Sequence, residues 1–157
     1  MPLTATGLNR TITTLMIATV VVGVLHHIDH VLRVDHSGWP FRAEVTPFTY
    51  SLIAYPVLLF ALLGPARLFW WRWAGLAIGT AFTLYAHTLI ESPQMQYAMW
   101  AYNRSLEPGL QGIQNLCGVR SGPLGVAAVI VSMLLNILLV TTTIVMLAHG
   151  LRRSRSL

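Results

Sequence analysis

Four of the chain's six histidines and two of its five acids fall in the eleven residues from His26 to His36, directly after an apolar run. Ionisable groups at the end of a hydrophobic helix are costly to hold there and mark a functional site by default. At about 100° per residue, His26, Asp29, His30 and Arg33 share an arc of about 100° on one helix face. His27 and Asp35 point elsewhere, and His36 continues the shared face only if the helix persists. Further along, His87 and Glu91 stand four residues apart, on one face with Thr80 and Thr83. Ser132, Asn136 and Thr143 form a third polar stripe.

Three kinds of chemistry fit these residues. A buried carboxyl is disfavoured as an anion, so Asp29 or Glu91 can act as a proton donor while its partner stays ionised beside Arg33. His26, His30 and His87 then orient and tune the pair. Trp39, Phe48, Tyr55, Tyr97 and Trp100 lie near the same end, and their π-faces can shield a cationic intermediate. Asn136 is an additional candidate on the substrate side, although an interhelical hydrogen bond is the simpler role for it. Alternatively His26 and His30, at i and i+4, are two metal ligands on one helix, completed by His87 and Glu91. Haem held by histidines of two helices is a variant of this. The zinc-protease motif is absent, because His26-His27-Ile28-Asp29-His30 lacks its glutamate base. In the third reading, Arg33 pairs with Asp29 or Glu91 in a structural network of a non-catalytic membrane subunit.

The elements that position these groups are membrane helices. Only 10% of the 157 residues are charged, against about a quarter in an ordinary soluble domain, and 55% are hydrophobic. The chain is predicted to be all-α, a polytopic membrane protein of one domain spanning 1–157. Four transmembrane helices are expected at 11–34, 47–63, 68–91 and 123–150, with an outer loop segment over 92–122 that carries a short amphipathic helix from Gln94 to Leu106. Pro56 predicts a kink in the second helix. The apolar run after Arg10 lacks a cleavage site and is read as a retained helix, not a signal peptide. Trp70, Trp71 and Trp73 resemble an interfacial belt. Gly75-x-x-x-Gly79 is a small-residue packing motif, serving contacts within the chain or between copies in a homo-oligomer.

The ten arginines, with no lysine, decide topology. Arg10, Arg67, Arg72, Arg152, Arg153 and Arg155 fall on the side of the termini; Arg33, Arg42, Arg104 and Arg120 fall on the other. This bias predicts cytoplasmic termini in the cell membrane and a site at the outer end. The arginines are scattered between apolar runs, so the charge of +5 does not indicate nucleic acid. The lone Cys117 excludes an internal disulfide and a cysteine-based metal cluster. Expected partners are membrane lipid and a lipophilic small-molecule substrate.

A small bundle of four helices with Asp29 and Glu91 facing an aromatic pocket is similar to the integral-membrane terpene cyclases, including the small bacterial ones of indole and dipeptide meroterpenoid pathways. It also resembles the sterol-isomerase and sigma-2-receptor type of membrane protein. The resemblance lies in architecture and carries no residue role. It implies metal-independent, proton-initiated cyclisation or isomerisation of an isoprenoid, and with it no cofactor.

Overall fold

The computed structural model describes residues 6–33 and 52–155. Trp39 and Phe48, expected at the site, lie outside the described residues, as do Asp35 and His36. Every regular element among the described residues is helical.

Helix α1 runs Arg10–Arg33. It begins at Asn9, whose Oδ1 accepts a 2.9 Å bond from the Ile12 amide and so satisfies one of the orphan donors of the first turn. Its buried residues are Ile12, Met16, Thr19, Gly23, His26, His30 and Arg33, alternately four and three apart. That spacing draws a single seam along the helix, as in a coiled coil. The seam changes character along its length: apolar at Ile12 and Met16, small at Thr19 and Gly23, ionisable from His26 onward.

Helix α2 is Ala54–Leu63. At ten residues it is about 15 Å long, roughly half the thickness of a hydrocarbon core. The expected residues 47–51 of this helix are not among those described. Pro56, expected to kink a longer helix over 47–63, belongs to the described part of it. It stands in the first turn, where the backbone N–H it lacks has no intrahelical acceptor.

Helix α3 occupies Ala66–Ile90. It opens with a 3₁₀ turn and closes with a π-helical turn over Ala86–Ile90, where the Glu91 amide reaches the Ala86 carbonyl at 2.7 Å. Helix α4, Pro93–Ala101, starts at the Ser92 cap with proline at its first position. It ends well before Leu106, because Asn103 takes a left-handed backbone (φ 52°). Helix α5 runs Gly122–Ser154, four residues beyond the expected end. It is about 50 Å long, more than a bilayer core needs.

α1 and α5 form the central pair. The buried seam of α5 (Ala128, Ser132, Leu135, Leu139, Thr142, Met146) alternates by four and three like that of α1. α3 and α4 also pack on α5, and α2 packs on α3. Gly75 and Gly79 serve this last contact: Val57 Cγ1 lies 3.7 and 3.8 Å from where their Cβ atoms would stand. The apolar core is at the end holding the termini, from Leu8, Ile12 and Met16 to Phe69 and Met146. Outward faces carry Ile17, Val21, Val24 and Ile28 on α1, and Ile130, Ile137 and Ile144 on α5, all exposed. By length and composition α1, α3 and α5 can each cross a membrane. An apolar exterior around a polar interior suits that solvent.

At the end holding Arg72, a second buried arginine does structural work. Its guanidinium donates to the Ala61 carbonyl at 2.6 and 3.0 Å and to the Thr6 carbonyl at 2.6 Å. It thus satisfies a carbonyl in the last turn of α2 and ties the chain before α1 to α3.

Candidate functional site

Four residues from two helices meet beyond the apolar core. His26 and His30 come from α1; His87 and Glu91 come from the end of α3. All four are buried, and one ligand atom of each lies within 4.8 Å of every other. His26 Nε2 is 2.9 Å from His87 Nε2, and His30 Nε2 is 3.2 Å from Glu91 Oε2. The His26 ring stands edge-on to both His30 and His87, with centroids 4.6 Å away in each case.

The π turn makes this meeting geometrically available. A π turn is wider than an α turn, so it changes the direction in which the following residues project. Glu91, the residue that closes it, is brought to α1 while His87 stays directed at His26. Such single π turns are frequent at functional sites.

A second layer holds these groups in place. Asn136 Oδ1 on α5 accepts from His87 Nδ1 at 3.0 Å. An amide oxygen only accepts, so His87 carries its proton on Nδ1 and presents the Nε2 lone pair to His26. Arg33 is entirely buried (0% exposed) and binds both acids. Its Nε donates to Asp29 Oδ2 at 2.7 Å, and its Nη1 donates to Glu91 Oε1. Asp29 Oδ1 also accepts from Trp100 Nε1 at 2.7 Å, which links α1 to α4. Among the described residues, two carboxylates thus share one guanidinium.

The expected site residues therefore divide. His26, His30, His87, Glu91, Arg33 and Asp29 are brought together, and Trp100 and Asn136 support them by direct hydrogen bonds. Arg33 takes both acids, where the sequence suggested one or the other. Tyr97 is elsewhere. It lies between α4 and α5, with its ring 5.8 Å from that of Tyr102, in a groove separate from the histidines. Tyr55 pairs with His27 through its hydroxyl and Nδ1. His27 was read as pointing away, yet both residues line a chamber with His26, His30 and His87. His27 is about 100° from His26 around α1, but α2 closes against that flank and encloses it.

Sequence reasoning missed Gln96. It is buried, and its Nε2 donates to Ser132 Oγ at 3.1 Å beside Glu91. A glutamine at the third position of an amphipathic segment gave no signal of this. Ser132, read from the sequence as part of a polar stripe, is its acceptor. Also missed was the cap over the site formed by the segment between α4 and α5. Asn115 holds that segment folded through the Met99 and Val119 carbonyls, at 2.8 and 2.9 Å. The Leu116 amide then donates to Leu32 at the end of α1 at 2.9 Å.

Comparison of the chain with protein-family models, with curated proteins and with solved structures returns no match.

Proposed function

We propose that this chain is a membrane protein that binds a divalent first-row transition metal through His26, His30, His87 and Glu91. Convergence of four ligand atoms within 4.8 Å carries this reading. Tetrahedral ligands at about 2.0–2.1 Å from a metal are about 3.3 Å apart, close to the 2.9 and 3.2 Å of the two nearest pairs. Three imidazoles and a carboxylate suit zinc, iron, copper or nickel. The outer layer is of the kind that metal sites use: an amide fixes the tautomer of one histidine, and a guanidinium holds the ligating carboxylate. His26 Nε2 faces a lone pair on His87 at 2.9 Å and so carries a proton; a metal entering between them would displace it. Convergence on one point suits a single ion better than the plane of a haem.

In this reading the chain crosses the cell membrane four times, with α2 in the fourth span. Its termini are cytoplasmic and the metal lies towards the outer face, as the arginine distribution implies.

Proton-initiated isomerisation draws less support. Arg33 engages both Asp29 and Glu91 as acceptors, so both carboxyls are taken up in a pairing with one guanidinium. Elemental analysis of the purified protein tests the proposal. One equivalent of a transition metal is expected, and it should be lost in His26→Ala and in His87→Ala. Metal-free protein that stays metal-free after incubation with zinc, iron(II) and copper(II) would overturn it.

A further inference from the structure

The histidine-lined chamber has a second, apolar side. Beyond His26, His30 and His87 its wall is Leu58, Leu76, Leu135 and Leu139, and it holds about 80 Å³. Gly23 and Gly79 also face it, and a Cβ at either would be accepted in ordinary van der Waals contact, 3.9 Å from Leu135 and 3.8 Å from Val57. A separate groove of about 340 Å³ runs along the outside of α1 and the start of α2, past Val24, Ile28 and Val31. Those three residues are exposed and belong to the apolar exterior. Chamber and groove have two residues in common, His27 and Tyr55. The bond between them, with the Tyr55 hydroxyl also 3.4 Å from the Gly23 carbonyl, is the partition between the two spaces.

We infer that the chamber receives a single-chain lipophile with one small uncharged polar end, a hydroxyl or carbonyl, which enters sideways from the bilayer past His27 and Tyr55. The end group occupies the chamber and the chain lies in the groove. Size and lining set this class. A chamber of this volume with leucine walls has no room for a phospholipid head group. The groove, open on an apolar exterior, matches an alkyl or isoprenyl chain. A water-soluble ligand would need a polar approach, whereas the groove wall is Val24, Ile28, Val31, Leu32 and Leu52 besides the partition. The inference rests on the metal reading for what the end group meets at the histidine side, and on the cavities alone for the ligand itself.

The test uses full-length protein in phosphatidylcholine vesicles and a photoactivatable probe, dodecan-1-ol with a diazirine at carbon 3. Its trimethylammonium counterpart is the charged control. Labelled residues are mapped by mass spectrometry, and metal content is measured on the same samples. Saturable label on Leu58, Leu76 or Leu139, competed by plain dodecanol and absent with the charged probe, is expected. Gly23→Leu and Gly79→Leu each fill the chamber and should lower that label at least tenfold with metal content unchanged. Tyr55→Phe removes the partition bond and should speed labelling. Label confined to Val24, Ile28 and Val31, or equal chamber labelling by the charged probe, would overturn the inference, and wild-type protein alone decides both points if the glycine variants fail to fold. Chamber label in protein that takes up no metal would sustain the lipophile and sink the metal reading. Metal without chamber label would do the reverse.

Discussion

His87 on α3 and Asn136 on α5 are joined by a 3.0 Å hydrogen bond from the ring Nδ1 to the amide oxygen. The bond selects one tautomer and aims Nε2 at the cluster. Outer-layer partners of this kind typically contribute about 10–100-fold to metal affinity. Asn136→Leu should therefore weaken metal binding by about that factor, read by competition with a chelator, without abolishing it as His87→Ala does. An unchanged affinity would remove Asn136 from the site.

Among the described residues, Arg33 pairs with two carboxylates, the buried Glu91 and the half-buried Asp29. Taking it away removes that pairing from both. Breaking a buried ion pair by removing one partner costs about 3–5 kcal/mol. Arg33→Met should lower thermal stability in detergent accordingly. Adding Asp29→Asn to that variant should recover part of the loss, because one of the two carboxylate charges is gone. If the double variant is no more stable than the single, the network is not held by charge.

Arg72 offers a control at the opposite end of the bundle. Its bonds go to backbone carbonyls, not to acids. Hydrogen bonds from charged groups contribute about 1.5–3 kcal/mol each. Arg72→Ala should destabilise the fold by a few kcal/mol, measured as a lower melting temperature, while the metal stoichiometry of the folded fraction stays as in wild type. Loss of metal from well-folded Arg72→Ala would mean that the two ends are coupled.

The glycines separate packing from space. At Gly125 a Cβ would stand 2.8 Å from the Tyr97 ring and 2.9 Å from the Tyr97 carbonyl oxygen. Forcing α4 off α5 in this way should cost about 1–3 kcal/mol in Gly125→Ala. Gly23→Ala meets nothing closer than 3.9 Å and removes a flexible residue from a helix interior, which favours the helix by about 0.5–1 kcal/mol. Opposite shifts in melting temperature are expected, and equal shifts would contradict the helix packing.

Much of this arrangement is legible in the residues alone. Three of the membrane-length helices follow from runs of apolar residues between Gly, Pro and Ser breaks, and their observed ends differ from expectation by one to four residues. The grouping of His26, Asp29, His30 and Arg33 follows from a period of 3.6, a local property that needs no neighbour. So does the pairing of His87 with Glu91 as neighbours on one helix.

What periodicity cannot supply is the facing element. His27 read as an outward residue because the flank it occupies is empty until α2 closes it. Tyr97 read as a pocket ring because its distance along the chain from Glu91 is short, yet α4 turns it towards α5. The choice between carboxylates and histidines as the centre of the site was also tertiary. A single guanidinium, reaching Glu91 across 58 residues of chain, ties up the acids, and a π turn then places the imidazoles against one another. The sequence by itself determined which helices are long and apolar enough to cross a membrane and which residues are available for chemistry, since these depend on composition and local period. Only the packing of α1, α3 and α5 decided which atoms meet, because a ligand set is a matter of distances between segments that local order leaves free.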